Sequence, residues 1–127
     1  MTEIKKNNVL LVEDDNFLAN IYKTKFEMEG FKVFTADNGE AGVDEAKKKL
    51  PDVILLDILL PKMDGFMVLE ALKKEPSTKD IPVILLTNLG QKDDVEKGLQ
   101  MGAVDYLIKA HFKPSEVVEK VRKVLGN

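Results

Sequence analysis

The sequence places polar residues directly after apolar runs that have the length of β-strands. Asp57 is the clearest case, because it lies inside the stretch VILLDILLPKMDG, residues 53–65. A carboxylate among apolar neighbours is costly unless it is paired, hydrogen-bonded, bound to a metal or placed where a strand ends. Polar residues follow three other apolar runs in the same way, and these are Glu13 with Asp14, Thr87, and Lys109. Carboxylates, a hydroxyl and an ammonium together could hold a cation and accept a chemical group.

The elements that must position these residues can be predicted from periodicity. Five β-rich runs alternate with segments of helical spacing, which predicts a parallel sheet with helices on both faces. The predicted strands cover residues 9–12, 32–36, 53–56, 83–86 and 104–108. The predicted helices cover residues 17–28, 40–49, 66–74 and 92–101, with a last helix ending at Gly126. The first, third and fourth runs are continuously apolar, as central strands are, whereas the second is mixed and indicates an edge strand.

The carboxyl ends of parallel strands meet at one edge of a sheet, where open α/β folds bind their ligands. We therefore expect the carboxylates of Glu13, Asp14 and Asp57 to lie roughly 4 to 6 Å apart, where each like-charge pair costs on the order of 3 to 4 kcal/mol. Lys109 can offset only part of that repulsion. The cluster therefore predicts a divalent cation, and ligands that are all oxygen favour Mg2+ or Mn2+ over zinc.

The segment after the first strand, VEDDNF, has none of the glycines of a phosphate-binding loop, which argues against a bound nucleotide. A phosphoryl group would then come from outside, and Asp57 is the best candidate to receive it as a nucleophile. Lys109 would screen the incoming charge, and Thr87 would offer a hydroxyl to one oxygen. Some polar residues after the first strand have a structural explanation instead of a chemical one. Asp15 or Asn16 could cap the next helix.

Length and composition limit the function classes. The chain has 127 residues, so we expect a single domain, with residues 1–7 as a flexible N-terminal arm. Its net charge of -3 does not indicate binding to nucleic acid or to a membrane. The absence of cysteine excludes thiolate chemistry and cysteine-bound zinc. No signal peptide and no membrane-spanning run are evident, so we expect a cytoplasmic protein.

Taken together, these residues resemble the receiver domain of two-component response regulators, over residues 8–125. The stretches that carry the resemblance are LLVEDD (10–15), DVILLDILLPKMDG (52–65), PVILLT (82–87) and GAVDYLIK (102–109). Each stretch is weak alone, but the four in this order and spacing are a strong match. The resemblance implies a flavodoxin-like (βα)5 fold, a doubly wound α/β sandwich whose five parallel strands lie in the order 2-1-3-4-5.

The resemblance also implies roles for the site residues. Asp57 would accept a phosphoryl group from a histidine kinase or a phosphotransfer protein and signal to a downstream protein target. Asp14, Asp57 and the backbone carbonyl of Leu59 would bind Mg2+, with Glu13 helping through water. Lys109 would contact the phosphoryl group. Such a domain is a phosphoacceptor regulator and not a turnover enzyme, although self-phosphorylation and autodephosphorylation are possible activities.

A conformational switch is a further implication. The hydroxyl of Thr87 would move toward the phosphoryl oxygens, the ring of Tyr106 would turn inward, and the surface of the fourth helix, fifth strand and fifth helix would change. Pro61 and Gly65 would shape the loop beside the site, and Asp64 would cap the third helix.

The chain departs from the family pattern after the fifth strand, where Ala110 follows Lys109 in place of the usual proline. A cis bond before a residue other than proline costs about 3 to 4 kcal/mol, so the loop either stores strain or takes another path. Leu59 and Asn88 are the other positions expected to modulate the chemistry. Asn88 is larger than the small residue often found there, and we expect it to alter dephosphorylation.

Two other function classes remain open on the sequence alone. One is a Mg2+-dependent phosphotransferase or phosphatase, although such enzymes often carry a second aspartate two residues after the first, where this chain has Leu59. The other is a receiver-like module that only binds partners, against which Asp57, Thr87 and Lys109 argue. Three consecutive lysines, residues 47–49, are better explained as a solvated helix face than as a nucleic-acid site.

Overall fold

The computed structural model describes residues 7–88, 92–109 and 113–126. Five strands alternate with five helices along these ranges. The strands are β1 (Asn8–Val12), β2 (Lys32–Ala36), β3 (Val53–Asp57), β4 (Val83–Thr87) and β5 (Asp105–Ile108). The helices are α1 (Asn16–Met28), α2 (Gly39–Lys49), α3 (Gly65–Lys74), α4 (Lys92–Gln100) and α5 (Pro114–Leu125). Each predicted element is present, and the boundaries differ by one residue at several ends.

The strands form one parallel sheet in the order β2-β1-β3-β4-β5. This is the doubly wound, flavodoxin-like architecture predicted from the alternation of elements. The central strands β1, β3 and β4 are apolar because helices cover them on both faces, and every residue of β3 and β4 is buried. The mixed run at residues 32–36 is an edge strand, as its composition predicted.

Alternate residues of each strand pack into two separate hydrophobic layers. One layer joins Leu10, Ile54 and Leu85 to buried residues of α2 and α3. The other joins Leu11 and Leu55, with their neighbours on the same sheet face, to α1 and α5. Because side chains along a strand alternate between faces, the parity of a position determines which layer it enters.

Three helices are preceded by a residue whose side chain caps the first turn. Asp15 accepts a hydrogen bond from the backbone N–H of Leu18, so the structural interpretation of Asp15 as a cap is confirmed. Asp64 caps α3 in the same way, as expected, and Asn38 caps α2. A side-chain oxygen at this position satisfies one backbone donor that the helix leaves unpaired. These caps fix the point at which each loop beyond a strand turns into a helix.

Two further observations concern the N-terminus and the length of the helices. Residues 1–6 of the expected N-terminal arm lie outside the described ranges, whereas the backbone carbonyl of Asn7 accepts a hydrogen bond from Lys32 N–H at 2.8 Å. In the part of the chain that the structure describes, no helix is both long and apolar enough to cross a membrane.

The end of α2 offers a test of local backbone strain. Leu50 follows the helix with φ of 46°, a left-handed conformation that costs a residue with a Cβ about 1 kcal/mol. Its side chain is about half exposed, so little packing is lost on removing it. We expect Leu50→Gly to stabilise the protein by about 0.5 to 1 kcal/mol in urea unfolding. Leu50→Ala is the control, because it removes the same side chain but keeps the strained φ, and an equal gain in both variants would contradict the explanation.

Candidate functional site

The carboxyl edge of the sheet gathers the polar residues that follow β1, β3 and β5. Glu13, Asp57 and Lys109 have the same parity in their strands as the residues that pack against α1 and α5. Their side chains therefore leave the sheet on one face, at the ends of three strands that all run in one direction. β3 includes Asp57 as its last residue, one residue beyond the predicted strand. Pleating and parallel topology together bring these three groups into one place.

The ammonium of Lys109 holds the two buried carboxylates together. Its Nζ atom lies 2.6 Å from Oε1 of Glu13 and 2.8 Å from Oδ2 of Asp57. Glu13 is 1% exposed and Asp57 is 3% exposed. Charge-assisted hydrogen bonds of this length are among the stronger ones in proteins, and burial reduces their screening by solvent. Lys109 thus reaches the site, whatever path the following loop takes.

Backbone groups occupy the second oxygen of each carboxylate. The N–H of Leu59 donates to Oδ1 of Asp57 at 3.0 Å, and the N–H of Asp15 donates to Oε2 of Glu13 at 3.2 Å. Each buried carboxylate therefore has one hydrogen bond to the ammonium and one to the backbone. These four contacts fix the orientation of both carboxylates before any ligand binds.

Burial and close charges shift the pKa values of Glu13 and Lys109. Burial raises the pKa of Glu13 to about 7, and the neighbouring Asp57 carboxylate adds to the rise, while Lys109 opposes it. Burial lowers the pKa of Lys109, but the hydrogen bonds to Asp57 and Glu13 outweigh burial and raise it. The ammonium is therefore firmly charged at neutral pH. One positive charge against several carboxylates leaves the site in need of further positive charge.

The acidic cluster has the composition of a site for a hard divalent cation. Glu13, Asp14 and Asp57 each place one carboxylate oxygen within 4.8 Å of the others. Asp14 is exposed and the other two are buried, so the cluster faces both the protein and the solvent. A donor set made only of oxygen suits Mg2+ or Mn2+, and the excess negative charge favours any cation of that kind. The residues that are present thus fit a bound metal.

Thr87 and Tyr106 are not members of this cluster. Thr87 is the last residue of β4 and is buried, and its hydroxyl donates to the backbone carbonyl of Asn88 at 3.1 Å. Tyr106 pairs in register with Leu85, and its side chain is 37% exposed. The Tyr106 side chain is therefore partly exposed, and the Thr87 hydroxyl is bonded to the residue that follows it in the chain.

The positions expected to modulate the chemistry are placed differently from one another. Leu59 is about half exposed beside Asp57, and Asn88 is exposed just beyond β4. Ala110 lies outside the described residues, as does the peptide bond that joins it to Lys109. Lys109 itself ends the described segment, and its N–H donates to the carbonyl of Thr87 at 2.9 Å.

Two glycines support the site through close backbone approach. A Cβ on Gly65 would lie 2.5 Å from the carbonyl oxygen of Asp57 and 2.7 Å from Cα of Ile58, so only glycine lets α3 begin there. Gly39 has the same relation to the carbonyl oxygen of Met63, in the loop between β3 and α3. A role for Gly65 in this loop was predicted from the sequence, whereas the role of Gly39 was not. The dipeptide Asn38-Gly39 at a helix start was the available signal.

Comparisons with known proteins agree with this arrangement. Residues 9–122 match the family model described as the response regulator receiver domain. The chain is 40% identical over 117 residues to the DNA-binding dual master transcriptional regulator RpaA of Synechocystis sp., covering 92% of this chain and 48% of that protein. It spans about half the length of the curated relatives it matches.

Solved structures give the same result. A response regulator structure from Chloroflexus aurantiacus is 33% identical with a TM-score of 0.89, over 97% of this chain and all of that one. The receiver domain of the sensor histidine kinase PA1611 from Pseudomonas aeruginosa is 29% identical with a TM-score of 0.86, over 95% and 98% of the two chains. That structure has a magnesium ion in its active-site cleft. The chain described here belongs to the response regulator receiver domain family.

Proposed function

We propose that Asp57 is the phosphoacceptor of a single receiver domain that works as a signalling switch. The observation that carries the proposal is the position of Asp57 itself. It is a buried carboxylate at the open edge of the sheet, with Lys109 on Oδ2 and two further carboxylates within 4.8 Å. A strongly charged, prearranged site of this kind suits the transfer of a phosphoryl group, which needs positioning and positive charge more than covalent help.

The proposed reaction forms one bond and breaks one. A carboxylate oxygen of Asp57 attacks the phosphorus atom of a phosphohistidine on a kinase or a phosphotransfer protein. The bond between phosphorus and the imidazole nitrogen breaks, and the imidazole leaves with the electron pair. The product is an acyl phosphate on Asp57. Lys109, whose ammonium already contacts Oδ2 of Asp57, stabilises the negative charge that gathers on the transferred oxygens.

A divalent cation completes the proposed site. Asp14, Asp57 and the backbone carbonyl of Leu59 would hold Mg2+, with Glu13 acting through water. When bound, the ion supplies positive charge for the phosphoryl oxygens and offsets repulsion among the carboxylates. Asp14 is the exposed member of the cluster and is therefore the accessible first contact for a cation arriving from solvent.

The proposed switch uses two residues that are apart from the cluster. The hydroxyl of Thr87 would leave the Asn88 carbonyl and bond to a phosphoryl oxygen. Tyr106, which is 37% exposed, would then turn toward the vacated space. That movement changes the surface formed by α4, β5 and α5, which a downstream protein target would recognise. Signal output by protein contact needs no nucleic-acid or membrane binding by the receiver domain itself.

The test of the proposed function is an intact-mass measurement. The protein is incubated with acetyl phosphate, a small phosphodonor, in the presence of Mg2+. We expect a mass increase of about one phosphoryl group per chain, and none with EDTA in place of Mg2+. Asp57→Asn keeps the size and a hydrogen-bonding oxygen but lacks the nucleophile, so it should show no increase. An equal adduct on Asp57→Asn, or no adduct on the wild-type protein, would refute the assignment.

We also propose that Asn88 sets the lifetime of the phosphorylated state. Asn88 is exposed directly after Thr87, and its backbone carbonyl accepts the Thr87 hydroxyl. We expect Asn88→Ala to change the rate of dephosphorylation by about threefold to tenfold without changing the rate of adduct formation, an effect of about 1 kcal/mol on the barrier. The loss of the adduct's mass over time measures this rate. An unchanged half-life would remove Asn88 from the mechanism.

A further inference from the structure

The edge strand β2 uses only every second residue to pair with β1. The N–H of Lys32 donates to the carbonyl of Asn7 at 2.8 Å, and the carbonyl of Ala36 accepts from the N–H of Glu13 at 3.0 Å. In a parallel ladder, residues that bond to one neighbour alternate with residues whose N–H and C=O point to the other side. The even-numbered residues of β2 therefore face β1.

The odd-numbered residues, Val33 and Thr35, direct their backbone groups away from the sheet. β1 is the only strand beside β2 in the described part of the chain. An edge with unpaired N–H and C=O groups is a template for another strand unless side chains block it. The question is therefore how much of this edge the protein protects.

Lysine side chains protect the first half of β2 from pairing with another strand. The ammonium groups of Lys32 and Lys49 lie 5.5 Å and 5.3 Å from the centroid of the Phe34 ring. Lysine on an edge strand is a common device against strand pairing, because a pairing strand would have to desolvate or displace the charge. The part of the edge protected by lysine thus covers residues 32–34 of β2, beside the end of α2.

The second half of β2 is open. A cleft of about 470 Å3 lies between α1 and α2, and the last residue pair of β2, Thr35 and Ala36, lines it. Ala19 of α1 and Ala41 of α2 line it together with longer polar side chains of the same two helices. A cleft of this volume leaves room beside the backbone of Thr35.

The charges around this cleft favour a positively charged occupant. Asp37 and Glu45 line it, against Lys23 as the one cationic lining residue in the described ranges. Glu13 lines it too, but its carboxylate is buried and paired with Lys109. Within the described ranges, neither Asp37 nor Glu45 has an ammonium or guanidinium group within 4.0 Å. Their charges are therefore available to a ligand.

We propose that the open half of β2 is a docking edge for an extended basic segment of a partner protein. The segment adds a sixth strand that pairs with the outward N–H and C=O of Thr35. Lysine or arginine at alternate positions, which a strand presents on one face, contacts Asp37 and Glu45. This surface lies on the opposite edge of the sheet from β5.

The test is a titration of 15N-labelled protein with a short blocked peptide of alternating lysine and valine, followed by amide chemical shifts. We expect saturable shifts at Val33, Thr35 and Asp37. Thr35→Pro removes the outward N–H, which an edge strand tolerates, and should weaken binding by about tenfold or more. Thr35→Val keeps the N–H and should bind as the wild-type protein does.

Two further measurements keep the proposal falsifiable if Thr35→Pro does not fold. The double variant Asp37→Asn, Glu45→Gln should also weaken binding by about tenfold, because it removes two of the charges that face the peptide. A peptide of alternating glutamate and valine should not bind. Shifts that map away from β2, equal binding of the glutamate peptide, or undiminished binding by both the proline variant and the double variant would overturn the proposal.

Discussion

Replacing Lys109 with methionine is expected to destabilise the metal-free protein by about 2 to 4 kcal/mol and to slow phosphorylation of Asp57 by about a hundredfold or more. Methionine has a similar volume, so the loss comes from the charge. Lys109 gives each of two buried carboxylates its hydrogen bond to a cation, at 2.6 Å and 2.8 Å. Breaking a buried pair by removing one partner leaves an uncompensated charge, which is the costly case.

The destabilisation should depend on pH in a defined direction. The pKa of Glu13 is already raised to about 7, chiefly by burial, and removing Lys109 takes away the group that holds it down. A carboxyl with a raised pKa keeps its proton in the folded state at pH values where the unfolded chain has lost it. Its contribution to stability is therefore present at low pH and is lost as pH rises through the folded pKa. The variant should lose more stability from about pH 5 to about pH 8 than the wild-type protein does.

Added Mg2+ should restore part of the lost stability, because a divalent cation supplies the missing positive charge to the same carboxylates. Urea unfolding with EDTA and then with Mg2+ measures both effects. Lys74→Met is the matched control, since Lys74 pairs with Glu70 at 2.7 Å on an exposed helix face. Such surface pairs contribute about 0.3 to 0.5 kcal/mol. If Lys109→Met were no more costly than Lys74→Met, the ammonium would not be holding the cluster together.

The sequence alone was sufficient to predict which groups meet at the sheet edge, and the reason is geometric. Parallel strands end on the same side, so polar residues that follow apolar runs must gather there, as Glu13, Asp57 and Lys109 do. Capping by Asp15 and Asp64 was predictable for a similar reason, because a helix start needs a local acceptor.

The arrangement within the site could not be predicted in the same way. Whether Lys109 would reach both carboxylates depends on side-chain rotamers and on a chain path with no proline after it. The partial exposure of Tyr106 depends on how the helices pack beside β5, which a strand pattern does not encode. The approach of Gly39 to the carbonyl of Met63 joins two loops far apart in sequence, and only the folded chain shows it.

Gly65→Ala is the second substitution for which we expect a large effect, because the space for its methyl group is taken by backbone. The new Cβ would lie 2.5 Å from the carbonyl oxygen of Asp57 and 2.7 Å from Cα of Ile58, and neither atom can rotate away. The start of α3 would have to move, and the hydrogen bond from Gly65 N–H to the carbonyl of Ile58, 2.9 Å long, would weaken. Forcing a group into packed backbone costs about 1 to 3 kcal/mol, and we expect the upper part of that range.

The same movement should affect the proposed phosphorylation, since the displaced backbone includes Asp57, the proposed phosphoacceptor. We expect adduct formation from acetyl phosphate to slow by at least about tenfold, because a shift of about 1 Å in a reacting group can cost far more than that. Gly98→Ala is the matched control: its Cβ would clash with the end of the buried Leu85 side chain, which belongs to the core packing and not to the backbone that carries Asp57. That variant should lose stability through overpacking of the core but keep the rate of phosphorylation near the wild-type value. Equal slowing of phosphorylation in the two variants would show that α3 does not position Asp57, and that the close approach of Gly65 is only a packing feature.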